Sequence, residues 1–223
     1  MVTKHYDLGL RSLLKFRPYT EDEELVRRIL IERTEYHLFI GSNPRVIFDI
    51  GANIGCTSVL FANSYPNAII YAFEPVPENY ELLVENVKAY PNVQPINLAL
   101  GAKTEERKIM ASDDEYNFGG FSFHEKGSDP LKTQSVQVMD IIEFMESKSI
   151  QKIDLLKIDT EGCEKEILWR LYPNFLPKHI MGECHGHDDW EMFKFLFESH
   201  DIKTKKEFGQ RCFPFYAMRK ADA

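Results

Sequence analysis

The sequence predicts an α/β fold: one doubly wound, mostly parallel sheet with an antiparallel last strand and an N-terminal helical extension. Three stretches carry this reading. Val46-Ile47-Phe48-Asp49-Ile50 is an apolar run that breaks into Gly51-Ala52-Asn53-Ile54-Gly55 and then resumes at helical spacing. A strand covered on both faces reads as such a run rather than as an alternation. Ala68-Ile69-Ile70-Tyr71-Ala72-Phe73 follows at βαβ distance and ends in Glu74. Ile153-Asp154-Leu155-Leu156-Lys157-Ile158-Asp159, followed by Thr160-Glu161-Gly162, repeats the plan of strand, terminal acid, glycine turn and helix.

A chain of 223 residues with 43% hydrophobic content can bury one substantial core. We read residues 1–44 as a helical extension and 45–223 as the main domain, with 103–140 as an insert or lid. A net charge of -8 and a pI near 5.4 argue against a broad nucleic-acid footprint, which needs a basic face. No apolar run reaches the ~20 residues that cross a bilayer, and Met1-Val2-Thr3-Lys4 does not open a signal-peptide plan. The expectation is a cytoplasmic protein with neither membrane nor nucleic-acid partner. Cys56, Cys163, Cys184 and Cys212 are far apart and form no C-x-x-C pair, so we expect reduced, packed thiols.

In the extension, Thr20 followed by Glu21-Asp22-Glu23-Glu24 reads as a helix start, a hydroxyl cap with acids in the first turn. Leu25, Ile29, Tyr36 and Ile40 share one face if the helix runs on to Gly41-Ser42-Asn43-Pro44. After Glu74, Pro75 and Pro77 restrict the chain, and Tyr80, Leu83, Val84 and Val87 mark an amphipathic helix. Residues 93–100 read as a third strand. Residues 106–111 and 133–139 alternate like exposed strands around Asn117-Phe118-Gly119-Gly120-Phe121-Ser122-Phe123, a hairpin whose aromatic tip is a lid or a plain connection. A helix over 141–147 restores the order, a strand over 179–183 leads to Glu183, His185 and His187, and Trp190, Phe193, Leu196 and Phe197 mark another helix. Residues 202–208 and 211–218 read as a closing antiparallel strand pair.

The glycine turn points to a nucleotide-like ligand, because Gly51 and Gly55 let the backbone turn and the next helix presents free N–H groups. A dinucleotide site wants G-x-G-x-x-G, and Asn53 stands where its central glycine would be. Glu74, about 20 residues beyond the turn, suits ribose hydroxyls, both of whose protons an ionised carboxylate can accept. Ligands of a doubly wound sheet bind outside the strands' carboxyl ends where the strand order reverses, which brings Asp159 and Glu161 to the same crevice.

Four blocks resemble the FkbM family of S-adenosylmethionine-dependent methyltransferases: Phe48-Asp49-Ile50-Gly51-Ala52-Asn53-Ile54-Gly55, Ala72-Phe73-Glu74-Pro75-Val76-Pro77-Glu78-Asn79, Leu156-Lys157-Ile158-Asp159-Thr160-Glu161-Gly162 and Glu183-Cys184-His185. The resemblance runs over residues 45–195, the insert 103–140 excepted, and implies a Rossmann-like sheet, S-adenosylmethionine as cofactor, and methyl transfer to an oxygen of a sugar, polyketide or related small molecule. It implies that Asp49, Gly51, Asn53 and Gly55 border the methionine part of the cofactor, that Glu74 binds its ribose, and that Asp159 lies near the methyl group. Asn97, Leu98 and Ala99 are expected beside the adenine. Alkylating a hydroxyl needs a base, for which His185 has the better unperturbed pKa and Asp159 the better position, with Glu161 and Glu183 orienting the acceptor. Asp159, Glu161, Glu183 and His185 could also ligate Mg2+ or Mn2+, but they show no tight ligand spacing and are not read as a metal site. Two other classes compete: an NAD-type oxidoreductase, and a non-catalytic S-adenosylmethionine-binding module.

Overall fold

The computed structural model describes residues 4–6, 13–36, 43–111, 116–121, 133–185, 187–204 and 212–220, the side chains of 4–6, 187–189 and 212 excepted. The chain opens with a hairpin, β1 (Lys4–Tyr6) and β2 (Leu14–Phe16), and a short helix, α1 (Glu21–Val26). Thr20 caps α1 as expected, its side chain accepting from the Asp22 amide. The extension is not wholly helical, and the long helix expected through Tyr36 does not form. After α1 a π-helical turn, Arg27–Ile31, ends the run, and Arg33 and Tyr36 then take positive φ of 54° and 50°, which no right-handed helix accommodates. Ile40, Gly41 and Ser42 lie outside the described residues.

The main sheet follows: β3 (Val46–Ile50), α2 (Cys56–Ser64), β4 (Ile69–Phe73), α3 (Pro77–Val87) and β5 (Val93–Ile96). The third strand is shorter than its apolar run. It breaks at Asn97-Leu98, and β6 (Ala99–Gly101) joins a second sheet with β7 (Glu105–Met110) and β8 (Thr133–Asp140). β7 and β8 pair antiparallel, as the alternation of 106–111 and 133–139 predicts. The chain returns through α4 (Ile141–Ser147), β9 (Leu155–Ile158), α5 (Glu164–Leu171), β10 (His179–His185), α6 (His187–Leu196), β11 (His200–Thr204) and β12 (Cys212–Arg219). β10 extends two residues beyond the expected 179–183, so Glu183 and His185 are strand residues. Residues 205–211 lie outside the described set.

The seven strands run in the order β11-β12-β10-β9-β3-β4-β5. β10, β9, β3, β4 and β5 are parallel neighbours, while β12 is antiparallel to both β10 and β11. This is a Rossmann-like sheet whose strand order reverses between β3 and β9, the two strands staying parallel. Successive β3 side chains divide between two cores: Ile47 packs with α2, α3 and the extension, and Phe48 and Ile50 with α4, α5 and α6. Phe144 of α4 stands edge-on to Phe73 at 4.9 Å, one pair in a cluster with Phe48 and Tyr71. Among the described residues no helix is long and apolar enough to cross a membrane.

Candidate active site

A cavity of about 210 Å³ opens at the carboxyl ends of β3, β4 and β9, against the reversal of strand order. Its floor is the glycine turn. Gly51 has φ +76°, and a Cβ there would fall 1.8 Å from the Asp159 carbonyl oxygen, so the turn needs glycine for close backbone approach. Asn53 also takes a positive φ, 49°. Its Oδ1 is buried without a hydrogen-bond partner, and the residue lines the cavity.

Glu74 lies against this turn, 5% exposed. The Asn53 amide donates to Oε2 at 2.8 Å and the Val76 amide to Oε1 at 3.0 Å. Burial pushes the carboxyl up to about 7 against the pull of those amides. Each oxygen keeps acceptor capacity toward the cavity it lines. Leu98 and Ala99 line the same wall, whereas Asn97 turns away and donates from Nδ2 to the Glu74 and Pro75 carbonyls.

Asp49 and Gly55 are not part of the wall. Asp49 is fully buried, its Oδ2 accepting from Ser58 Oγ at 2.6 Å, with Oδ1 3.4 Å from Lys157 Nζ. Gly55 caps α2 with φ +92°, where a Cβ would meet Leu83 at 2.8 Å. Lys157 donates to the Gly51 carbonyl at 2.5 Å. Burial works against its charge, but Asp49 and Asp159 hold the ammonium above the usual lysine range.

The far wall is acidic. Asp159 and Glu161 from the loop after β9 and Glu183 from β10 line the cavity. His185 is not in the wall, yet its Nε2 stands 3.6 Å from Glu183 Oε2, 3.8 Å from Glu161 Oε2 and 3.9 Å from Asp159 Oδ1. The four residues named from the sequence are therefore gathered at one point. His187 begins α6 and its side chain lies outside the described set.

Sequence reasoning missed several participants. Glu164, fully buried, approaches His185 Nδ1 at 3.1 Å. From the extension, Tyr36 Oη donates to Asp159 Oδ2 at 2.8 Å, and Glu35, 3.1 Å from Arg28 Nε, lines the cavity. The aromatic loop contributes too: Asn117, Gly119 and Phe121 line the cavity, and Asn79 Nδ2 holds the Phe118 carbonyl at 2.8 Å. Only a signal linking residues distant in sequence could have placed Glu35 and Tyr36 here; Glu164 lay two residues beyond the third block, unremarked because a helix-start acid is ordinary.

Asp159, Glu164 and His185 each place a ligand-type atom within 4.8 Å of the others. Both Glu164 oxygens, however, already accept: Oε1 from the Thr160 amide and hydroxyl at 2.6 and 3.1 Å, Oε2 from the Gly162 amide at 3.0 Å. The set is a hydrogen-bonded pair beside an acid rather than a coordination shell. Cys56, Cys163 and Cys184 are buried and in no disulfide among the described residues, and burial pushes the Cys163 thiol up to about 12, which makes it a poor nucleophile.

Comparison with known proteins places the chain in a family. Over 161 residues the chain is 30% identical to the hexuronic acid methyltransferase AglP of Haloferax volcanii, covering 72% of this chain and 60% of that protein. It is 27% identical over 156 residues to the methyltransferase sdnD of Sordaria araneosa, covering 57% of this chain and 60% of that one. It thus spans about 60% of the length of both relatives. The solved fibrillarin of Aeropyrum pernix with natively bound S-adenosyl-L-methionine is 16% identical, with a TM-score of 0.48 over 82% of this chain and 70% of that one. The model of the methyltransferase FkbM domain matches residues 49–210, from the acid of β3 into the segment before β12, and the chain belongs to that family.

Proposed function

We propose that this domain transfers the methyl group of S-adenosylmethionine to the hydroxyl of a small acceptor, a sugar or polyketide-type alcohol. The observation that carries this is Glu74, a buried carboxylate braced by two backbone amides beside the Gly51 turn and facing the cavity at the strand reversal. Glu74 would hold the ribose hydroxyls, and Asn53 Oδ1, buried and unpartnered, would meet a donor of the cofactor's amino acid part. Leu98 and Ala99 supply the apolar wall for its base. When bound, the cofactor supplies a methyl group on a positively charged sulfur, and the acidic wall of Asp159, Glu161 and Glu183 favours positive charge at that end.

The chain's own residues then orient the acceptor and take its proton. Asp159, Glu161 and Glu183 are acceptors for neighbouring hydroxyls, and they surround the imidazole of His185. Titration calorimetry tests the reading. S-adenosylhomocysteine should bind, NAD should not, and Glu74→Ala should weaken S-adenosylhomocysteine by about tenfold or more, one lost charge-assisted contact. Transfer of labelled methyl to a panel of glycosides and hydroxylated polyketides should follow. Heat on adding NAD and none on adding S-adenosylhomocysteine would replace this reading with a dinucleotide enzyme.

A further inference from the structure

We propose that Glu164 is a positioning residue that fixes the tautomer of His185, making His185 rather than Asp159 the proton acceptor of the transfer. The inference rests on the methyl-transfer reading above but follows from the donors around one carboxylate.

Glu164 begins α5 and is fully buried. A buried carboxylate survives only if its oxygens are paired. Two of its contacts have donors of fixed polarity, the Thr160 amide at 2.6 Å and the Gly162 amide at 3.0 Å, and the Thr160 hydroxyl lies 3.1 Å from Oε1. Burial pushes the carboxyl upward, while its pairing with His185 and the Thr160 amide holds Glu164 below the usual range; independently of the ring, one backbone amide on each oxygen favours the ionised form. It is ionised and can only accept. The fourth contact, His185 Nδ1 at 3.1 Å, must then also come from a donor. The proton of the neutral ring sits on Nδ1, and Nε2 carries the lone pair.

That nitrogen is turned toward Glu183, Glu161 and Asp159 at 3.6, 3.8 and 3.9 Å, the three carboxylates of the cavity wall. Among the described residues the charged groups facing the ring come from the loop after β9, from β10 itself and from α5, and these are acids. They stabilise the imidazolium that proton uptake creates. Asp159 is less available, because Oδ2 already accepts from Tyr36. In the step, the acceptor O–H bond breaks and its proton goes to Nε2, directly or through one water. The oxygen forms its bond to the methyl carbon as the carbon–sulfur bond breaks, its electron pair remaining on sulfur.

The decisive measurement is nitrogen-15 NMR of the ring nitrogens in the full chain, with His185 signals assigned by their loss in His185→Asn. In the wild type at a pH where the ring is neutral, Nδ1 should be the protonated, pyrrole-like nitrogen and Nε2 the pyridine-like one. Glu164→Gln should mix the tautomers, whereas Thr160→Val, which loosens the same loop without touching the ring, should not. A wild-type ring protonated on Nε2 overturns the proposal, and that spectrum decides the matter even where Glu164→Gln fails to fold. An unchanged tautomer in folded Glu164→Gln overturns it equally. With a turned-over acceptor, Glu164→Gln should lower kcat at least tenfold with KM for S-adenosylmethionine unchanged. Calorimetry with S-adenosylhomocysteine on the same samples separates the two readings: absent binding removes the methyl-transfer function and leaves the tautomer result standing.

Discussion

Tyr36 Oη donates to Asp159 Oδ2 at 2.8 Å across 123 positions of sequence, tying the N-terminal extension to the acid at the end of β9. The bond is buried on the tyrosine side, and the ring lies 5.4 Å from Lys157 Nζ. Tyr36→Phe keeps the ring and removes the donor. Because a hydrogen bond to a charged group contributes about 1.5–3 kcal/mol, the variant should unfold at lower urea with unchanged slope, by about that amount. An unshifted midpoint would mean that the extension is held by apolar packing alone.

The extension has a second anchor, a buried ion pair. Arg17 and Asp22 are 3% and 1% exposed. Arg17 Nε and backbone N both donate to Asp22 Oδ2, at 2.7 and 2.9 Å, and Nη2 reaches Asn79 Oδ1 of α3 at 2.7 Å. The guanidinium also lies 4.1 Å from the centre of the Phe118 ring, so one side chain joins the extension, α3 and the aromatic loop. Asp22→Ala strands the charge of Arg17 and should cost about 3–5 kcal/mol. Arg17→Met with Asp22→Leu should recover most of it, a contrast that denaturant titration of the two variants resolves.

These two anchors mark where reading the sequence stops. Val46–Ile50, Ile69–Phe73 and Leu155–Ile158 were legible because a covered parallel strand writes itself as an unbroken apolar run. Asp159, Glu161, Glu183 and His185 were legible as one site because strand ends of a doubly wound sheet converge. Tyr36 was misread as a helix-face residue: its spacing from Ile29 fits a helical period, and nothing local announces the positive φ of Arg33 and Tyr36. The break at Asn97-Leu98 was hidden for a related reason, since the asparagine side chain that stops the strand bonds to carbonyls of another loop. Asp49 read as a cofactor neighbour, and the structure uses it for Ser58 and Lys157, a choice set by a lysine 108 positions away.

Glu74 gives the cavity a pH dependence with a definite sign. Its carboxyl lies near 7 in the folded chain, raised by burial from 4.5. A raised pKa stabilises the empty fold below 4.5, and that contribution is lost as pH rises through 7. On the proposed function, ligand binding runs the other way, because ribose hydroxyls held by Glu74 would need an ionised acceptor. S-adenosylhomocysteine affinity should therefore be flat above pH 8 and weaken as pH falls below 7, approaching tenfold per unit. Glu74→Gln should bind more weakly at pH 8 and lose the slope, both read by calorimetry across pH 5.5–8.5.

On the proposed function, the acidic wall predicts an acceptor without negative charge. Asp159, Glu161, Glu183 and Glu35 all line the cavity, and the two cations among its described lining residues are engaged, Arg28 near Glu35 at 3.1 Å and Lys157 on the Gly51 carbonyl at 2.5 Å. Glu35 itself is held above the usual carboxylate range by burial, and the charges of Glu183 and Asp159 push the same way. An acceptor carboxylate about 6 Å from one uncompensated acid meets roughly 3 kcal/mol of repulsion at an effective dielectric constant near 20. Arg28 and Lys157 offset part of this, so a neutral hexoside should exceed the corresponding hexuronate in kcat/KM by about tenfold or more at low salt. Raising salt should narrow the gap, as should Glu161→Gln or Glu183→Gln, because each removes one repelling charge. Equal rates on the two acceptors at low salt would place the acceptor away from this wall.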